Sequence, residues 1–555
     1  FTSAWSPDSS RIAISATNSD DLAAYSVAAG GGTVGVAVSG SVNVVTTGTH
    51  AFVGTGAQVN AAPADLAGGS SSQSVRLGAG NDFHHMAVTV AAAGGFVGVA
   101  PGVDVTVTHA TVGAEIGDSA IVKANNDVTV DAHAKDDIVV VTVGVAGGAV
   151  AVGGAVSVMS INDDVDARIG SATVYAGDSV GVRASSDSDF VLVDGAAGGG
   201  FVGAGVSVGV LLVEKTTDAV IDNGAHVDAV GAGSGLGNTL TGTLTNGDAA
   251  DGFDKATVSG LVVQATSSEE LLHIAVAGGG GFVGVSGAIA VTAMDSDTNA
   301  EIRAAQINQN TTGAGQNVYV NAANETRLTT IVGAIAGGVA GIGGAVDIGQ
   351  INNDTSAKIR AGAVVRAGAD VSVNALAIKE LDGFTASAAG GVVGLGAAVS
   401  VWSIGTPLQD DYNGTAAAET GGTSAQQDAG NRSQQSLSDS TNMWSGYGGG
   451  ANANDPSNRS RTEASSAMGT SSGKLTGPSS ADVSGAVDSP EAAVGTVAVI
   501  EGGATVTAGT SASAIGGIGT NAVADVEVDR FIGQFAFGLV GAGAAVGITA
   551  VATWK

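Results

Sequence analysis

Three short motifs recur in fixed order along the 555-residue chain, and the distances between them constrain its fold more than any other feature. The first is VxVxA followed by a polar turn, as in Val75/Leu77/Ala79, Val128/Val130/Ala132, Val180/Val182/Ala184 and Val318/Val320/Ala322. The second is GxVG or a near variant, ending at Gly35, Gly98, Ala151, Gly203, Gly284, Gly341, Gly394 and Gly541. The step from the start of the first motif to the end of the second, as from Val128 to Ala151 or Val180 to Gly203, is the same in all eight copies. The third motif, AxI or AxV, then ends at one further constant distance in the first six copies, at Val53, Ile116, Ile169, Ile221, Ile302 and Ile359. In the seventh copy the matching Ala498/Ile500 is displaced downstream by a long insertion. The gap from the third motif to the next first motif varies freely, from the short step Ile169 to Val180 to the long one Ile221 to Leu261.

A fixed block with one permissive corner is how stacked repeats behave. A residue inserted within a rung breaks register with both neighbours, whereas a corner loop does not. The typical unit, as from Val75 to Val128, is about 53 residues, which as a parallel β-helix reads as two unequal coils or three small ones. The expected fold is therefore all-β, an elongated parallel β-helix (β-solenoid) of about eight 53-residue repeats; tandem antiparallel β-sandwich repeats are the alternative. Residues 1–405 read as solenoid, 406–489 as a Ser/Gly/Asn-rich insertion loop, and 490–555 as solenoid ending mid-repeat.

Within a unit, bulky and tiny residues alternate with the period of a strand. Val150, Val152, Val156 and Val158 share one parity; Ala149, Ala151, Gly153, Ala155 and Ser157 share the other. A Val face belongs in a core, and a Gly/Ala/Ser face is flat enough for another sheet or a neighbouring molecule to approach closely. The AxI segments carry charge between their apolar residues (Glu115, Arg168, Glu301, Lys358), so they read as half-buried strands. The uncharged run from Val139 to Ile161 is long enough for a membrane helix, but its glycines and period-2 order make it strand and no membrane span is expected. Pro101 should mark a bulge, bend or strand edge.

Composition agrees. The 89 glycines are more than twice the roughly 39 that average usage of about 7% would give, and only 21 residues are aromatic, so a thick globular core is excluded. The net charge of −31 argues against nucleic-acid binding, which needs clustered Lys and Arg. There is no cysteine, hence no disulfide scaffold. The sequence begins at Phe1 without a leader pattern, as expected of a mature product or fragment.

Catalytic signatures are few: no HExxH or P-loop pattern occurs, and basic residues are too few for a carbohydrate-cleaving cluster to be expected. His84 and His85 fall on opposite strand faces and make a poor metal pair. The Asp-rich turn Asp163, Asp164 and Asp166 is the candidate Ca²⁺ site, against the plainer reading of solvated turn residues. The long insertion supplies candidate binding-loop residues Tyr412, Arg432, Trp444 and Tyr447, against a spacer reading. The shorter insertion from Gly231 to Lys255 reads as a surface loop.

The segments AVAGGGGFVGVSGAIAVTAMDSDTNAEIR (Ala275 to Arg303) and VGVAGGAVAVGGAVSVMSINDDVDARIG (Val143 to Gly170) resemble the repeats of leukotoxin-type filamentous adhesins and related giant bacterial exoproteins. That resemblance implies a secreted or surface-tethered β-helical stalk of a Gram-negative bacterium. The expected function is a non-enzymatic extracellular structural or adhesive segment that displays loops from one corner. The expected partner is a cell-surface or extracellular-matrix ligand, or the chain itself. The alternative is a self-assembling filament or sheath subunit joined through solenoid ends or flat Gly/Ala faces.

Overall fold

A computed structural model describes residues 2–5, 11–62, 66–67, 69–310, 313–405, 495–510 and 516–551. These are almost entirely strand, and all but two of their strand pairings are parallel. Each repeat is laid in register on the next: Val75 pairs with Val128, Val128 with Val180, Val180 with Leu261, Leu261 with Val318, Val318 with Val371 and Val371 with Ile518. The described residues form a parallel β-helix of eight coils. The two antiparallel pairs are Thr2–Trp5 against the first coil and a hairpin described below.

One repeat makes one coil, where the spacing had suggested two or three. The strand Val128–Ile169 pairs along its whole length with its equivalents in the neighbouring repeats, leaving no room for a second turn. The extra length goes into a blade. Each coil runs out along a first arm, reverses at the Gly-rich second motif, returns along a second arm, and closes through a short third strand such as Ile121–Ala124 or Thr173–Ala176. With about 20 residues per arm at about 3.3 Å each, the coil is roughly 65 Å across, while eight coils at about 4.8 Å stack to roughly 38 Å.

The base of the coil is a triangular prism. Val128, Val130 and Ala132 of the first arm, Ala167 and Ile169 of the second, and Val174 and Ala176 of the third strand meet there, and their equivalents stack into one continuous apolar column. The third strand's Val122, Val174, Val227, Ile307 and Val365 complete the third wall. Further out lies a second column of larger side chains, including Ile138, Met159, Phe190, Leu211 and Trp402.

Toward the tip the two arms close until only small residues fit between them. A Cβ on Gly144 would overlap the carbonyl oxygen of Gly154 on the facing arm, and one on Gly198 would overlap that of Ala204. The Gly/Ala parity thus faces inward against the chain's own second arm. Bulky Val156, Val208, Ile289 and Val346 take the opposite parity, where they pack as a separate cluster. At the reversal itself one glycine column runs the length of the solenoid: a Cβ on Gly148, Gly200, Gly281, Gly338, Gly391 or Gly538 would overlap the carbonyl oxygen of the column's glycine in the preceding coil. The GG signature is therefore a requirement of coil-to-coil spacing.

The run from Val139 to Ile161 is strand, as its alternation requires. Pro101 sits inside the strand Ser74–Ile116; facing it, the first coil's ladder is interrupted between Val36 and Ser39, as a residue without an N–H dictates.

Candidate functional site

The three aspartates proposed for Ca²⁺ do not converge. They lie in a strand, so alternation sends Asp163 into the interior while Asp164 and Asp166 face outward. Among the described residues no group of three or more His, Asp or Glu is arranged to hold a metal. Tyr412, Arg432, Trp444 and Tyr447, with the whole 406–489 insertion, lie outside the described residues. His85 is buried and His84 faces out to Asp137, 3.1 Å away, so the histidine pair is split between faces as expected.

Asp163 belongs instead to a polar seam between the apolar columns. Here Asp136 and Asp163 face each other from the two arms of the third coil, and burial, then the neighbouring Asp163, pushes Asp136 up to about 8. One coil on, the fully buried Lys215 ammonium donates to Ser188 Oγ at 2.7 Å and to Glu269 Oε1 at 3.1 Å. Glu269 also accepts from Ser296 (2.9 Å), Thr326 (2.9 Å) and Asn324 (3.0 Å), and from Ser267. Burial alone would raise its pKa, yet Lys215 and the hydroxyls outweigh it and hold the carboxyl below its ordinary value. Lys379 ends the seam, donating to the Asn353 carbonyl at 2.8 Å.

A second set of buried polar groups lies nearer the tip. Asp347 accepts from Trp402 Nε1 at 2.8 Å and Ser400 Oγ at 2.7 Å. Burial drives His273 down to about 3, so the ring is neutral, with Nδ1 2.9 Å from Thr292 Oγ1. Nothing in the repeat motifs marks these residues, because residue type changes from coil to coil along a column: Asp136, Ser188, Glu269, Thr326 and Lys379 share one register position. A charge at an inward parity position, as with Lys215 and Glu269, was the available signal. The Lys215–Glu269 part of the seam is hydrogen-bonded within the chain and closed from solvent, an arrangement that fixes coil register.

The permissive corner is real and lies after the short third strand. Its longest described insertion is no loop: Leu236–Leu244 and Phe253–Val258 form an antiparallel hairpin. Arg183, Gln264, Asn321, Asn374 and Asn521 occupy one register position in five successive coils, and this outward polar row lies under the hairpin. Arg183 Nη2 donates to the Gly237 carbonyl at 2.9 Å, and Gln264 Oε1 accepts from the Leu240 N–H at 3.0 Å. Asn321 donates to the Leu240 carbonyl at 2.8 Å, and Asn521 to that of Gly242 at 2.8 Å. Leu240 and Phe253 pack on Leu376 and Ile378, and Leu236 and Val258 on Val262. The insertion is a clasp across coils four to eight. On the neighbouring wall, Arg303 bridges Asp222 (2.8 Å) and Glu301 (3.1 Å), whose other partners are Arg168 and Arg360.

No family model matches the chain, no curated protein matches it, and no solved structure matches it.

Proposed function

We propose that this chain is a non-enzymatic structural and adhesive segment of a bacterial secreted or surface exoprotein, whose corner loops are the parts that meet an external ligand. One observation carries the reading: eight coils keep identical register through the base and the arms, while length variation is concentrated in the corner loops and the 406–494 stretch. A framework held constant with variable loops is the division of labour of a display scaffold. The fully buried ion pair, Lys215 with Glu269, is spent on itself, which supports a scaffold over a catalyst.

The test is adhesion of beads carrying the full chain to matrix-coated or cell surfaces, with each corner loop trimmed to the length of Asn125–Asp127. Loss of adhesion on trimming is the expected result. Unchanged adhesion, or breakdown of a polysaccharide that stops when one carboxylate is replaced, would sink the proposal.

A second reading, a self-assembling extracellular filament or sheath subunit, draws support from the outer face of the tip half of the coils, where no charge is exposed among the described residues. The flat Gly/Ala faces do not serve it, since they are turned inward.

A further inference from the structure

Among the described residues, exposed charge is confined to the basal half of the coil, the aspartates nearer the tip (Asp104, Asp194 and Asp347) being fully buried. Ile138 to Asn162 of the third coil, Gly195 to Val213 of the fourth and Leu328 to Val346 of the sixth contain no Asp, Glu, Lys or Arg, and the other coils follow suit around the tip. On the outer face of the first arm, Val141, Val193, Ile274, Ile331, Phe384 and Phe531 are successive register partners in one column. Phe384 and Phe531 stack with ring centroids 5.1 Å apart. Columns nearer the tip add Val276 and Ile335, 40% and 67% exposed, and the tip row adds Phe201 and Phe282, stacked at 4.9 Å.

We infer that this face is an interface for a second copy of the chain. Four outward columns about 7 Å apart, over eight coils about 4.8 Å apart, make an uncharged patch of about 1,000 Å². A stable interface needs about 800 Å² from each partner. On the opposite face of the blade the central coils offer less, because Val208 and Val291 there are already buried. The border column favours a protein partner over lipid: Asp137, Asp189, Glu270, Glu380 and Glu527 are acidic, with Arg327 among them, and no Lys/Arg or Trp/Tyr belt marks a headgroup level among the described residues.

The same border sets the arrangement. A two-fold axis parallel to the solenoid axis lays blade on blade with the two acidic bases at opposite ends, whereas any pairing with both bases at one end brings like charges together. The corner hairpin lies on this same arm but at its base, over Leu376 and Ile378, so the contact columns are separate from it and the two proposals can fail independently.

Sedimentation velocity of the full chain from about 1 to about 50 µM tests it, an interface of this size being expected to hold in that range. Ile335→Glu and Val276→Lys place a charge on the face at exposed positions, and Thr173→Glu does so on the third-strand wall as control. The expected result is a dimer whose dissociation constant rises at least about tenfold in either face variant and is unchanged in the control, with circular dichroism unaltered. A wild type monomeric throughout, equal weakening in the control, or face variants that associate normally each overturn the proposal. So does binding to phosphatidylcholine vesicles that Ile335→Glu abolishes in a chain that does not dimerise.

Discussion

Lys215 and Glu269 lie one coil apart, wholly shielded from water, with Nζ 3.1 Å from Oε1. The pair links the fourth coil to the fifth, where the corner insertion stands between Val180 and its register partner Leu261. A slip of one residue would flip both charges to the outside and leave apolar groups against solvent.

Glu269→Gln should therefore cost about 3–5 kcal/mol in equilibrium urea unfolding, since it leaves Lys215 charged and unpaired in the interior. The double variant Lys215→Met/Glu269→Gln should lose less than Glu269→Gln alone. Additive losses in the two single variants and the double would refute coupling between these groups.

The buried carboxyls predict an unusual pH dependence. Asp136 is held up at about 8 by burial and then by Asp163, and Asp166 at about 7 by burial and then by Asp218. Unfolded aspartates titrate near about 3.9, so between about pH 4 and pH 8 the folded chain binds more protons than the unfolded one and stability falls as pH rises. Glu269 has the opposite sign: its contribution is present above the unfolded glutamate value and is lost as pH falls through its lowered folded value. Thermal midpoints should be higher at pH 5.5 than at pH 8.5, and Asp136→Asn should flatten the difference; a midpoint that rises over this interval contradicts the assignment.

The glycine column separates two neighbouring residues sharply. At Gly200 a Cβ would overlap the Gly148 carbonyl oxygen, a backbone atom that cannot rotate aside, whereas at Gly199 nothing lies within 4 Å. Gly200→Ala should destabilise by about 2 kcal/mol or more, as overpacking does, and Gly199→Ala by no more than about 0.5 kcal/mol. Equal effects would mean that the tips do not stack as described.

The hairpin should behave as a clasp and not as a mobile loop. Asn321→Ala removes a donor to the Leu240 carbonyl and an acceptor for Asn374 Nδ2, 2.7 Å away. A loss of about 1–3 kcal/mol is expected for this buried network, together with faster amide exchange at the hairpin alone. Exchange rates at Leu236–Leu244 that already match an unstructured peptide would contradict the finding.

Much of this architecture was readable from the residues. VxVxA and AxI name two walls of the prism because strand alternation maps directly onto inside and outside, and the match at Ala498/Ile500 pairs with Ala357/Ile359 across the long interruption. The third wall was also present, as a Val or Ile five or six places past each AxI motif, but a strand as short as Gln306–Ile307 or Ile121–Ala124 has too little period to stand out. Which way the Val parity faced was not legible. Val usually signals the core, yet here the narrowing gap between arms admits only Gly and Ala, so shape overrides hydrophobicity. The coil count failed for the same reason, since a reversal made of glycine reads as a corner between coils instead of the tip of one. The buried seam appears once per coil in different residues, so no repeat reports it, and the clasp was hidden because Gly/Asn-rich composition suits hairpins and loops alike.

The claim beneath all of this is one coil per repeat. His84 and Glu527 occupy the same outward register position six coils apart, and the chain has no native cysteine. Spin labels on His84→Cys/Glu527→Cys should report a single narrow distance of about 29 Å by double electron–electron resonance, six steps of about 4.8 Å. A distance twice as long, as two coils per repeat would give, or a broad distribution would contradict the account.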